Sequence, residues 1–152
     1  MTLLPVADRW FESRRISDGI TIMWEPHVIP LMRCNIWHVR GRDRDLVVDT
    51  GMGIVSLRDA GRDLFGHKIT AVATHTHADH IGGHHEFEHT LVHELEADNL
   101  RHPEDRGTLQ LAQLPRSYVK ALNDAGYVVD RDFITALPHA GCDMDGYRLN
   151  DA

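Results

Sequence analysis

Two short stretches near the start of the chain, residues 20–25 and 35–39, are rich in β-branched, aromatic and other apolar residues and predict strands. The turn-forming run Gly41-Arg42-Asp43-Arg44 leads into Asp45-Leu46-Val47-Val48-Asp49, so an early antiparallel pair is expected. The continuous apolar centre of that third segment suits a strand buried on both faces, and Thr50-Gly51-Met52-Gly53 breaks it sharply. Leu57, Ala60, Gly61, Leu64 and Phe65 then follow helical spacing, with Ser56 as N-cap, Asp59 three residues on and Gly66 as the stop. Residues 69–74 read as a second buried strand. Strand, helix and strand make a crossover unit whose two strands should run parallel, which gives an α/β fold class.

Beyond this unit the pattern weakens. Residues 80–87 predict a helical opening despite Gly82 and Gly83, and 90–93 a short returning strand. The polar stretch 94–114 reads as a surface insertion with one helical turn over 96–101. Pro115 introduces a helix in which Tyr118, Ala121, Leu122 and Ala125 share a face and Gly126 ends it. The remainder is rich in turn residues, and no internal repeat appears.

With 152 residues, one domain spanning 1–152 is expected. Apolar residues at 42% and charged residues at 26% describe a chain able to bury a core. The formal charge of −7 is the wrong sign for gripping phosphate backbones, so nucleic acid is not an expected partner. No apolar run approaches the ~20 residues of a membrane helix, and the first eight residues are too short and too soon acidic for a signal peptide. A cytoplasmic protein with no membrane partner is the expectation. Cys34 and Cys142 form no Cys-x-x-Cys pair and read as small buried thiols. Trp10, Trp24 and Trp37 read as core or strand-packing aromatics.

The anomaly is histidine: 12 in all, seven of them between His75 and His93. The string Thr74-His75-Thr76-His77-Ala78-Asp79-His80-Ile81-Gly82-Gly83 leaves the second crossover strand at its carboxyl end, where α/β sheets collect ligands. In an extended segment alternate side chains share a side, so His75, His77 and Asp79 can converge on a cation. A helical turn starting at Asp79 would carry His80 beside them and make two adjacent metal sites. Nitrogen and carboxylate donors favour zinc and tolerate iron or manganese. Gly82 and Gly83 let backbone pass close by. The competing reading is a polar loop with Asp79 as N-cap. His84, His85, His89 and His93 read as surface histidines outside the site.

This His-x-His-x-Asp-His run followed by Gly-Gly resembles the signature of the metallo-β-lactamase-fold hydrolase superfamily, in the form seen in glyoxalase-II-like thioesterases. The resemblance implies His75 and His77 on a first metal, Asp79 and His80 on a second, zinc as the usual ion, and Asp79 as the catalytic residue that orients the attacking water. Asp49, in Asp49-Thr50-Gly51, looks like the family's earlier motif and is implied to support the ligand loop. The implied activity is metal-dependent hydrolysis of a small molecule, a metal-bound hydroxide attacking an ester, thioester, lactone or amide. The implied fold is an αβ/βα sandwich of two similar halves. The likeness covers only the N-terminal half, at about residues 15–150, so the chain is expected to be a fragment. The later ligands of the family have no counterpart here: His139 stands in Leu-Pro-His-Ala-Gly without the family's Gly-His order. A non-catalytic metal-binding half-domain that needs a partner chain is the alternative. A half-domain would also expose the sheet face meant for its twin, so self-association is expected.

Overall fold

A computed structural model describes residues 4–102 and 108–144. Its centre is one mixed sheet of six strands in sequential order: β1 Glu12–Ser17, β2 Ile20–Trp24, β3 Ile36–Val39, β4 Asp45–Val48, β5 Ile69–Val72 and β6 Thr90–Leu91. β1 to β4 form an antiparallel meander, and β5 and β6 add parallel. The expected antiparallel pair and parallel crossover are both present, and the fold class is α/β. β1 was not anticipated, because Glu-Ser-Arg-Arg-Ile-Ser has no apolar alternation; it is a charged, largely exposed edge strand.

Strand alternation gives the sheet two unlike faces. Met23, Ile36, Val47, Ile69 and Ala71 are buried together with Leu57 and Phe87, with Leu64 and Phe65 packed against them. On the other face, Ile22, Trp37, Val48, Val72 and Leu91 stand opposite one another in a single cross-strand row. That row is half-buried to exposed, and the adjacent Leu46 is 38% exposed. β4 is therefore not buried on both faces as its apolar run suggested: one face is covered by the crossover and the other is open. Trp24 and Trp37 belong to this half-buried face.

The crossover helix α1 spans only Leu57–Ala60. Ser56 caps it, its Oγ accepting from the Asp59 N–H at 3.1 Å. The helix stops at Gly61 and not at Gly66, because the chain folds back and Phe65 occupies the place of a Gly61 Cβ, 2.3 Å from that point. The pattern over 80–87 likewise divides into α2 Ala78–Ile81 and a 3-10 turn His84–Glu86, with Gly82 and Gly83 between them. Glu86, in the connection from β5 to β6, ties it to the start of α1: its carboxylate accepts from Ser56 Oγ, Leu57 N and Arg58 N.

A second core lies beyond the sheet and unites Trp10, Val28, Ile29, Met52, Leu109, Val129, Phe133 and Ile134. The segment 94–114 is thus not all surface insertion. It has α3, Ala97–Arg101, where a turn was expected, but Thr108 and Leu109 are buried. α4, Arg116–Asp124, forms as expected and ends before Gly126, yet it packs through Val119 and Leu122, while Tyr118, Ala121 and Ala125 are exposed. The turn-rich tail closes this core through Ile29 N to Phe133 O and Thr135 N to His27 O. No helix among the described residues is long and apolar enough to cross a membrane.

Candidate functional site

The parallel strands β4 and β5 end side by side, and the chain leaving each of them builds the site. Asp49 follows β4 directly, in the left-handed region at φ 59°, its N–H still bonded to Val72 O of β5. Asp tolerates that conformation better than most residues because its short side chain bonds locally. The turn points its carboxylate at the neighbouring loop. Oδ1 accepts from the Thr74 N–H at 2.8 Å, and Oδ2 accepts from Thr74 Oγ1 at 2.8 Å and lies 2.8 Å from His80 Nδ1. Burial works against its charge, but the His80 and Thr74 bonds prevail and hold its carboxyl below the usual range.

Residues 74–77 then lead into α2, and His75 stands beside His77 and His80, with Asp79 against His80. The His75 ring lies 4.5 Å from that of His77, edge to face, and 4.1 Å from that of His80. His80 Nε2 is 3.3 Å from Asp79 Oδ2. Asp79 is not an N-cap: that place belongs to His77, which makes no side-chain cap bond. Because Asp49 accepts the Nδ1 proton of His80, Nε2 is the nitrogen turned toward Asp79. The Asp49 bond, then Asp79 and the Cys34 thiol, push the His80 imidazole up to about 12. Burial, with His80 and His77 close by, pushes His75 down.

Cys34 is a core residue, as expected, but it also borders this site, its Sγ 3.6 Å from His80 Nδ1. Burial pushes its thiol up. Cys34, Asp49 and His80 each place one donor atom within 4.8 Å of the others. The Nδ1 proton and the Asp49 oxygens are already engaged with each other and with Thr74, and Nε2 is paired with Asp79. Cys142 is half-buried, not fully buried. His139 is exposed, its Nδ1 3.1 Å from Ala140 O.

Backbone closeness fixes the Asp-Thr-Gly turn against α2. Thr50 N donates to His80 O at 2.8 Å and Gly82 N to Gly51 O at 2.9 Å. A Cβ on Gly82 would stand 2.2 Å from the Met52 carbonyl carbon, so only glycine permits this approach.

His84 departs from the sequence reading, which left it on the surface. It is 4% exposed, and its Nδ1 lies 2.7 Å from Thr50 Oγ1. That hydroxyl accepts from the Gly83 N–H and donates to His80 O, so the imidazole donates its Nδ1 proton to it. Nε2 then carries a bare lone pair with no partner among the described residues. Burial pushes this imidazole down to about 4. His85, His89 and His93 are exposed, as expected.

Two carboxylates escaped the sequence reading. Glu25, at the end of β2 and 1% exposed, accepts from Trp10 Nε1 and from the Met52 N–H, each at 2.9 Å. Glu96 accepts from Thr76 N at 3.0 Å and from Thr76 Oγ1. Neither sits in a motif. The one signal for Glu25 was its place at the end of an apolar strand, where an acid must either face water or find donors.

The family model described as the metallo-beta-lactamase superfamily matches residues 29–147. The chain belongs to the metallo-beta-lactamase superfamily. Among curated proteins it is similar to the acyl-coenzyme A thioesterase MBLAC2 of Homo sapiens, 38% identical over 103 residues that cover 60% of this chain and 37% of that protein. The same-named protein of Gallus gallus is 42% identical over 97 residues, covering 58% and 35%. The chain thus spans little more than a third of the length of these relatives. Among solved structures it is similar to a metallo-beta-lactamase from Hirschia baltica, with 20% identity and a TM-score of 0.49 over 60% of this chain and 47% of that one.

Proposed function

We propose that this chain carries the N-terminal metal-ligand half of a metal-dependent hydrolase whose substrate is a small-molecule thioester. The observation that carries the reading is the division of His80 between two carboxylates, Asp49 at Nδ1 and Asp79 at Nε2. Two donors each about 2.1 Å from one tetrahedral ion lie about 3.4 Å apart. The 3.3 Å between Asp79 Oδ2 and His80 Nε2 fits that spacing. His75 and His77 would hold a first ion, and Asp79 and His80 a second, with zinc suited to this mix of nitrogen and oxygen. Zinc in such a site supplies Lewis acidity and lowers the pKa of a water from 15.7 to about 7.

The chain's own residues do the rest. Asp79 orients the attacking water with the carboxylate oxygen not turned to His80. Asp49 fixes the His80 ring and its tautomer, and through Thr74 it holds the exit of β5 where the ligand loop begins. A thioester is favoured because both similar thioesterases carry that activity in their names.

A second reading, a metal-binding half-domain that needs a partner chain, is favoured by the donor count. The loop offers two protein donors to each ion where catalytic zinc sites use three. Self-association through the open sheet face belongs with this reading.

The test is metal content per chain after dialysis against zinc and then metal-free buffer, paired with thiol release from an acyl-coenzyme A. One or two equivalents of zinc, lost in His75→Ala, together with thiol release lost in His77→Ala and Asp79→Ala, would support the hydrolase. Retained zinc without thiol release would favour the half-domain. No retained zinc would overturn the metal reading for this chain.

A further inference from the structure

The loop 74–80 is held at its two ends by Asp49, through Thr74 and through His80. Within it lies Thr76, whose backbone joins His75 to His77. Thr76 lies outside every strand, so its N–H has no ladder partner, and left free it would put both imidazoles on a swinging segment. The structure assigns this middle anchor to Glu96: a single carboxylate oxygen, Oε2, accepts both the Thr76 N–H at 3.0 Å and the Thr76 hydroxyl. We infer that Glu96 is a positioning residue that sets the facing of His75 and His77, an inference that rests on the metal reading above.

Glu96 is well placed to hold a loop still. It ends a 3-10 turn, Glu94–Glu96, its own N–H bonded to His93 O at 2.9 Å, and it leads directly into α3. Because Thr76 takes up Oε2 from both its backbone and its side chain, Glu96 fixes one residue's rotation as well as its position. The His75 and His77 rings, 4.5 Å apart and steeply inclined, depend on that rotation. Carboxylates behind a ligand commonly change metal affinity by 10–100-fold when removed.

Glutamine separates anchoring from charge, since its one carbonyl oxygen can accept both Thr76 bonds. Zinc affinity of the full chain, measured by competition with a chromophoric chelator, should fall about tenfold or more in Glu96→Ala and return close to wild type in Glu96→Gln. Exchange of the Thr76 amide proton in zinc-free protein should quicken at least tenfold in Glu96→Ala and stay slow in Glu96→Gln. Wild-type affinity in Glu96→Ala, or equal loss in both variants, overturns the inference. If the wild type itself takes up no zinc, the metal reading fails and Thr76 exchange alone decides: unchanged exchange in Glu96→Ala overturns the anchor. Should Glu96→Ala not fold, Thr76→Val removes the hydroxyl bond from the other side. It should weaken zinc binding by less than the loss of both bonds would, and wild-type zinc affinity in that variant would overturn the inference.

Discussion

Asp49 Oδ2 lies 2.8 Å from His80 Nδ1, across the two parallel strands whose ends carry the site. A residue that has just left β4 therefore sets the ring of a residue that follows β5, and it does so from a left-handed backbone. Asp49→Ala should remove both the His80 and the Thr74 bonds. Leaving those donors unpaired costs about 1–3 kcal/mol, and zinc affinity should fall 10–100-fold with it. Chelator competition and urea denaturation on the same samples check both; an unchanged affinity would contradict the role given to Asp49.

Gly82→Ala tests backbone approach independently of any charged group. The new Cβ would stand 2.2 Å from Met52 C and 2.3 Å from Met52 O, backbone atoms that cannot rotate away. Forcing α2 off the Asp-Thr-Gly turn should cost about 1–3 kcal/mol. It should also shift His80, since Thr50 N bonds His80 O two residues earlier. The expected result is a lower urea midpoint with weakened zinc uptake. Gly82 itself lies at φ −57°, in the right-handed helical region that any residue adopts, so the substitution reads the backbone clash and not a backbone strain.

Much of this arrangement is legible in the sequence because its signals are local. His75 and His77 are close in sequence and stand ring to ring, and the helical turn after His77 sets His80 beside His75 and Asp79 against His80. Gly82 and Gly83 announce a close approach without saying to what. The partners are non-local and carry no spacing signature: Asp49 is 31 residues from His80, and Glu96 is 20 from Thr76. His84 reads as a surface residue for the same reason, because its partner is Thr50, 34 residues earlier. The short α1 escaped periodicity because Gly61 fits a helical face in sequence while accommodating the Phe65 ring in space.

The open sheet face makes a prediction about assembly. Ile22, Trp37, Val48, Val72 and Leu91 form one row with no covering layer among the described residues. Contiguous apolar surface of this kind favours association. The isolated chain should run larger than a monomer in light scattering, and Trp37→Lys with Val48→Lys should return it to a monomer. A sharp wild-type monomer that binds no apolar dye would rule this out.

His84 should make the fold sensitive to mild acid. Its folded value is about 4 against an ordinary value near 6.5, so between these the unfolded chain binds the proton that the folded chain refuses. Its contribution is present above pH 6.5 and is lost as pH falls to 4, about 3 kcal/mol in all. His84→Asn keeps a donor for Thr50 Oγ1 and does not titrate. The stability difference between wild type and His84→Asn, from urea midpoints, should therefore swing toward the variant as pH falls from 7 to 4.5. A difference independent of pH would mean that His84 is not buried as described.

Glu25 acts in the opposite direction over an overlapping range. Burial raises its folded value to about 7, against bonds from Trp10 and Met52 that favour the charge, with Asp79 adding to the rise. The folded chain then holds a proton that the unfolded chain gives up above about 4.5. The associated stability is fully present below pH 4.5 and is lost as pH rises through 7, again about 3 kcal/mol. Glutamine does not titrate, and its amide group cannot accept the second N–H as a carboxyl oxygen can. The stability of Glu25→Gln relative to wild type should therefore rise as pH goes from 4.5 to 8. If the Trp10 and Met52 bonds outweighed burial, Glu25 would stay charged throughout, and the difference would not move with pH above 5. Urea midpoints of the pair at pH 4.5, 6 and 8 separate the two outcomes. The outcome bears on the site itself, because the Met52 bond ties this carboxylate to the turn that begins at Asp49.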